Sequence, residues 1–328
     1  MRAVTIREIG GPEVLKLEEL PVPVPGKHQL LVAVHATSVN PVDSKIRGRI
    51  GARTLPVVLG YDTSGVVTAC GPDVTGWSVG DDVFGCPNLF GPGANAEYVL
   101  LDARASARKP ASVDHATAAA LPLVALTAWE ALHERARIQP GQTVLIHAGA
   151  GGVGHIAIQL AHLHGCRVLT TAGRPESIAF CRDVVRADEV IDYRRVEFDA
   201  RVRELTGGRG ADVVFDTVGG ETFQRSIKSV APGGQLVTIL PSNPGELAGE
   251  LLYRSITVHY EFMGTRVAYD VEPARQGAIL TAIARLVDRG LLRVHVGNRL
   301  PLAEVAEGHR LIDTERTIGK IAIVVAGA

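Results

Sequence analysis

From His28 to about residue 110, apolar and polar positions alternate in short runs separated by Gly, Pro and Asp. HQLLVAVHATSV, His28 to Val39, is the clearest case. A period of two belongs to a strand that buries one face. GVVTACG (65–71), DDVFGC (81–86) and AEYVLLDA (96–103) repeat the pattern, so the first third of the chain reads as a mostly β unit. From Ala111 to Ile138 the spacing becomes helical and rich in Ala and Leu. Pro122 has no N–H to give and crowds the preceding turn, so the pattern predicts two helices separated near that residue.

Beyond Gly141, strand and helix patterns take turns. Strands are expected at Thr143–His147, Arg167–Thr171, Glu189–Tyr193, Asp212–Asp216, Gln235–Leu240 and Ser255–Phe262. Helices are expected at Val153–His164, Pro175–Val185, Phe198–Thr206 and Glu221–Val230. Such alternation predicts a parallel sheet covered on both faces, and six strands suit a dinucleotide-binding domain. The tail is mixed: a helix over Glu272–Arg289, then LLRVHVGNRLPL, another helix and a closing strand GKIAIVV.

Composition narrows the function. Of 328 residues 46 % are apolar and 21 % charged, as in ordinary soluble globular chains. The net charge of −1 leaves no basic surplus for a phosphate backbone, so no nucleic-acid partner is expected. No run reaches the ~18 apolar residues of a membrane span. The start, MRAVTIREIGG, has no apolar signal-peptide core, so a cytoplasmic protein without membrane contact is expected. Cys70, Cys86, Cys166 and Cys181 form no C-x-x-C pair and read as buried free thiols.

The strongest local chemistry is TVLIHAGAGGVGHIAIQLAHLHG. Gly149, Gly151 and Gly154 have G-x-G-x-x-G spacing, after an expected strand and at the start of an expected helix; Gly152 and Val153 complete the loop. Gly149 permits the turn, Gly151 lets a pyrophosphate approach, and Gly154 lets the helix pack on the strand. The helix N-terminus then faces the anion. About 20 residues on, where a carboxylate would bind an NADH ribose, the chain reads LTTAGRPES. Thr170, Thr171, Ala172 and Gly173 supply no acid, and Arg174 supplies a cation for a 2′-phosphate. NADPH is the expected cofactor.

Almost the whole chain resembles the medium-chain dehydrogenase/reductase superfamily, in its zinc-free quinone oxidoreductase branch. The matching segments are ATSVNPVDSKIRG, LPVVLGYDTSGVV, GWSVGDDVFG, ANAEYV, LPLVALTAWEAL, HAGAGGVGHIAIQLA, GADVVFDTVGG and GKIAIVV, in the family's order. The resemblance implies an α/β fold, with a Rossmann-like domain (122–263) inserted in a GroES-like, mostly β catalytic domain (1–121 and 264–328). It implies a cofactor in the cleft between the two. It also implies a homodimer joined through the sheet edge near Ser255–Phe262.

Zinc alcohol dehydrogenases of the superfamily have Cys where this chain has Asn40, and GHE where it has Gly60-Tyr61-Asp62. The eleven histidines form no HxxxH or HExxH pattern, so no metal is expected. Without a Lewis acid, alcohol oxidation is hard, and hydride transfer to an activated acceptor is the remaining easy reaction. A small apolar quinone or α,β-unsaturated carbonyl is the expected substrate. An alcohol dehydrogenase and a non-catalytic NADPH-binding protein are the alternatives.

The resemblance also assigns residues. Asn40 faces the nicotinamide region, Lys45 the nicotinamide ribose, Tyr61 lines the pocket, and Thr127 lies beside the nicotinamide. Thr171, Arg174 and Tyr193 belong to the adenosine end, and Val218 and Gly219 to its ribose. Leu240 and Pro241, with Phe262 and Met263, line the nicotinamide. Lys320, in the tail GK motif near the cleft, is among the cofactor-binding residues. His155 reads as structural. Some quinone reductases carry Tyr near Lys45 and Gly51; its lack here moves the expectation toward enones.

Overall fold

The computed structural model describes residues 1–49 and 54–326. Gly51 and its neighbours, where the missing Tyr was noted, lie outside the described residues. The chain divides into two compact units, Met1–Leu126 with Gly264–Ala328, and Thr127–Met263. The first division falls inside the helix Pro122–Trp129 rather than before it.

In the first unit the alternating stretch is a long strand, Gln29–Val39. It pairs antiparallel with Thr63–Cys70, Tyr98–Asp102 and Lys320–Val324. Leu30, Val32 and Val34 point into a core with Val67, Val83, Val99 and Leu101. Burying one such face fixes the register, because a slip of one residue would turn every side chain over. The register sets Ile321 opposite Val39. Lys320, the residue before Ile321, is thereby brought to Asn40, the residue after Val39.

The segment SVNPVDSKIRG ends that strand with Ser38 and Val39 and then turns into a helix. A short helix runs Pro41–Gly48 with Asn40 as its N-cap. Pro41 has the fixed φ suited to the first helical position. The Asp43 side chain accepts the Asn40 N–H at 2.7 Å, closing the first turn. Arg47 is buried on this helix and holds it to the helix Val305–Asp313: it meets His309 Nδ1 at 2.8 Å and Asp313 at 2.7 Å. The expected break at Pro122 separates His115–Ala119 from Pro122–Trp129.

The second unit is a six-stranded parallel sheet. Its order is Glu189–Asp192, Arg167–Ala172, Thr143–Ile146, Ala211–Asp216, Val230–Thr238, Thr257–Tyr260. The order reverses at Thr143–Ile146, so a crevice opens beyond the carboxyl ends of the central strands. Leu145, Leu169, Val214, Leu236, Phe198, Phe223 and Ile227 form the core of one face. Two expectations are corrected. The fifth strand begins at Val230, directly after the helix Gly220–Ser229, because a register shift between Ala211 and Val213 accommodates Pro232-Gly233-Gly234. The helix expected over Pro175–Val185 is α only to Ala179 and then takes a π turn, Phe180–Val184.

Candidate active site

The sequence-derived site residues fall into two groups, one in each unit. In the Thr127–Met263 unit the glycine loop leads from the strand Thr143–Ile146 into the helix Gly152–Leu163, with Gly151 as N-cap. The three glycines differ in what surrounds them. A Cβ on Gly149 would run into the Thr170 hydroxyl, and one on Gly154 into the Ala148 carbonyl oxygen. A Cβ on Gly151 would meet only Ala148 O, at 3.2 Å. Packing therefore requires Gly149 and Gly154, whereas space beside Gly151 is left for something outside the chain. The N–H groups of Gly152, Val153 and Gly154 begin the helix and have no acceptor within it. This is a fitting cradle for a pyrophosphate.

The loop is braced by groups that sequence reasoning missed. Ala148 sits at φ +50°, an uncommon conformation for a residue with a side chain. Its N–H donates to Thr171 Oγ1 at 3.1 Å. The Thr171 hydroxyl hydrogen is then left to face His147 Nδ1, also at 3.1 Å. His147 Nε2 lies 2.9 Å from Ser226 Oγ, whose own hydrogen goes to Thr222 O at 2.7 Å. One tautomer satisfies the chain: Nδ1 accepts and Nε2–H donates. Burial holds His147 far below its ordinary value, at about 3, so the ring is neutral. Thr171, assigned to the cofactor from sequence, has its hydroxyl committed to bracing the loop.

Arg174, Gly173 and Tyr193 gather at the carboxyl end of the neighbouring strands, where Ala172 pairs with Asp192. The Tyr193 ring lies on Gly173, where a Cβ would come within 2.6 Å of Cζ. Tyr193 is about half exposed. Arg174 Nη2 donates to Ser177 Oγ at 3.2 Å, and its Nε lies 3.6 Å from the exposed Glu176 carboxylate. No Asp or Glu ends the strand Arg167–Ala172. After the fourth strand, Asp216 accepts the N–H groups of Val218 and Gly219, each at 2.9 Å, and so shapes their turn. Gly219 has φ +76°, and Leu240 packs against it. Phe262 is partly exposed and Met263 buried. Thr127 is also buried, and His155 is fully enclosed with Nδ1 2.8 Å from Gly151 O, as a structural residue would be.

In the other unit the cluster centres on Asp62, which is fully buried. Its Oδ1 accepts Leu123 N–H at 2.7 Å. Its Oδ2 accepts Ser38 Oγ–H at 2.5 Å and Asn40 Nδ2–H at 2.7 Å. Lys320 Nζ lies 3.3 Å from the same oxygen and donates to Asn40 Oδ1. The ammonium also faces Val39 O at 3.4 Å, and Lys320 is only 2 % exposed. Beside it, Asp43 accepts the N–H groups of Asn40 and Gly60, at 2.7 and 2.9 Å. Burial nevertheless pushes its carboxyl up to about 7. Tyr61 is fully buried between Gly60 and Asp62. Lys45 is exposed on the short helix, apart from this cluster, and partial desolvation lowers its pKa.

These donors do not suit zinc. Asn40 offers a neutral amide already bonded at both ends, and Asp62 is shared with a cation that would repel a second one. Among the described residues no group of three His, Cys, Asp or Glu side chains could hold a metal ion.

Comparison with known proteins places the chain. Residues 26–111 match the alcohol dehydrogenase GroES-like domain and residues 185–323 the zinc-binding dehydrogenase family. The quinone oxidoreductase of Pongo abelii is 32 % identical, over 99 % of this chain and 98 % of its own length. A crystal structure of a putative zinc-dependent alcohol dehydrogenase protein from Rhizobium etli is 36 % identical with a TM-score of 0.92, covering 100 % of this chain and 99 % of that one. The Escherichia coli quinone oxidoreductase complexed with NADPH is 27 % identical with a TM-score of 0.89, over 99 % of this chain and 100 % of that one.

Proposed function

We propose a reaction on a premise that sequence and fold together establish: this chain belongs to the medium-chain dehydrogenase/reductase superfamily and is an oxidoreductase. The proposed reaction is NADPH-dependent reduction of a quinone or an α,β-unsaturated carbonyl, without zinc. One observation carries this choice. At the positions that hold metal ligands in the zinc enzymes, Asn40 and Asp62 are bonded to each other and to the Lys320 ammonium. No Lewis acid is then available for an alkoxide, and the acceptor must be able to spread negative charge itself.

NADPH, when bound, supplies the hydride and its electron pair. With an enone, the new C–H bond forms at the β-carbon, the C=C pair moves toward oxygen, and a proton is then taken up at the α-carbon. With a quinone, two electrons and two protons give the hydroquinone. The chain's part is to hold both molecules. The open side of Gly151 and the N–H groups of Gly152, Val153 and Gly154 take the pyrophosphate. Arg174, with Tyr193 on Gly173, takes the 2′-phosphate, to which guanidinium is well matched. Val218 and Gly219 lie along the adenosine-side ribose. Leu240, Phe262, Met263 and Thr127 line the nicotinamide, and Asn40, Lys45 and Tyr61 serve the acceptor side.

The substrate is a small apolar electrophile and the setting cytoplasmic. No helix among the described residues is long and apolar enough to cross a membrane. The strand Thr257–Tyr260 ends the parallel sheet and can pair with its copy in a homodimer. The test is NADPH consumption with a panel of quinones, enones and, in reverse, alcohols with NADP⁺. Turnover of quinones or enones alone is the expected result. Tight NADPH binding with no turnover would favour a non-catalytic binder. Zinc-dependent alcohol oxidation would favour the dehydrogenase reading suggested by the R. etli likeness.

A further inference from the structure

Asn40 caps the helix Pro41–Gly48 yet is itself buried, and its side chain is held from beyond that helix. An N-cap asparagine ordinarily turns its side chain back onto the first helical turn. Here Asp43 also accepts the Asn40 backbone N–H, completing a capping box, and the Asn40 side chain is gripped by groups outside the helix as well. Its two ends meet groups of opposite and unambiguous character. Lys320 Nζ has only hydrogens to give, so the atom it meets must be Oδ1. Asp62 Oδ2 can only accept, so the atom 2.7 Å from it must be Nδ2. The orientation of the amide is thus imposed by charge, and one Nδ2 hydrogen remains outside the clamp.

The clamp is itself fixed. Ser38 and Leu123 N–H hold the Asp62 carboxylate from other sides. Lys320 reaches it because the closing strand pairs in the register that sets Ile321 opposite Val39. An ammonium and a carboxylate are costly to bury, and replacing such a pair by apolar groups often stabilises a protein. Their retention around a single amide calls for a use beyond stability.

We propose that Lys320 and Asp62 are positioning residues, which clamp the Asn40 amide so that its remaining Nδ2–H is presented as a fixed donor to the reacting end of the site. This rests on the reductase reading above, since it takes Asn40 to face the reaction. It differs from the role that the resemblance implies, in which Lys320 binds the cofactor.

The test compares Lys320→Met and Lys320→Arg with the unaltered enzyme, and adds Lys320→Met/Asp62→Asn, which leaves no lone charge should the first variant fail to fold. Three readouts are taken: NADPH affinity by fluorescence, kcat and KM with a quinone, and the Asn40 side-chain amide signals in protein labelled with ¹⁵N-asparagine. The clamp predicts slowly exchanging Asn40 amide protons in the unaltered protein and fast exchange in both Met-containing proteins. It predicts a kcat loss of about ten- to a hundredfold with NADPH affinity changed less than about threefold. Lys320→Arg should recover part of kcat. A loss of NADPH affinity as large as the loss of kcat would overturn the proposal and return Lys320 to the cofactor. Unchanged amide exchange in the Met-containing proteins would overturn it too. If the unaltered protein reduces no acceptor, the reductase reading fails, and the exchange measurement alone still decides whether the clamp exists.

Discussion

At the residue scale, the three glycines of the loop make separable predictions. Gly151→Ala adds a Cβ with one neighbour at 3.2 Å, so the variant should fold and melt within a few degrees of the parent. Its NADPH affinity should nonetheless fall at least about tenfold, because the pyrophosphate loses its close approach. Gly154→Ala puts a methyl into the Ala148 carbonyl and should cost about 1–3 kcal/mol in denaturant unfolding, as overpacking does. Equal melting losses for the two would contradict this division of labour. Sequence spacing told where the glycines stand and set Gly154 against the strand. It could not show that Gly149 is kept small for packing as well, since that depends on Thr170 folding back on it. Arg174→Ala should weaken NADPH by about ten- to a hundredfold, the range for a lost charged hydrogen bond, and leave NADH almost unchanged. Equal losses in titrations with both nucleotides would exclude a 2′-phosphate contact at Arg174.

At the element scale, period-two and helical patterns located all six strands of the parallel sheet, because each buries a face or a core run large enough to show. The helix Pro41–Gly48 escaped that reading. It is short, and its buried residues include Asp43 and Arg47, so it carries no apolar stripe. The brace of Thr171, His147 and Ser226 escaped too, because its members come from three elements. It carries a pH signature. His147 is neutral in the folded protein down to about pH 3, whereas an unfolded histidine takes a proton near 6.5. The unfolded chain then binds more protons between those values, so stability from this group is present at neutral pH and declines as pH falls below about 6.5. His115, His133 and His309, each lowered to about 4 chiefly by burial, act in the same direction. Asp43, raised to about 7, acts the opposite way over part of the range. Urea unfolding of the parent should show stability falling from pH 6.5 to 4, and the fall should be shallower in His147→Gln. Parallel curves would show that His147 does not carry this pH dependence.

At the scale of the whole molecule, the resemblance anticipated the Rossmann-like and GroES-like parts. It placed Lys320 and Asn40 near each other only loosely. Their contact joins residues 280 apart in sequence, and nothing in the local pattern of either announces Asp62 as the group they share. The same limit applies to assembly. If the edge strand Thr257–Tyr260 pairs with its copy, Thr257→Lys should shift sedimentation from dimer to monomer, since a charge on a sheet edge opposes pairing. A parent that sediments as a monomer would dismiss the dimer. Hydride transfer to an activated acceptor without zinc likewise needs the whole molecule. Its most direct test is the rate of NADPH oxidation by a quinone after dialysis against a strong zinc chelator, with zinc measured in the same sample. An unchanged rate and zinc far below one per chain are expected. A rate lost on chelation and restored by adding zinc would contradict zinc-free transfer.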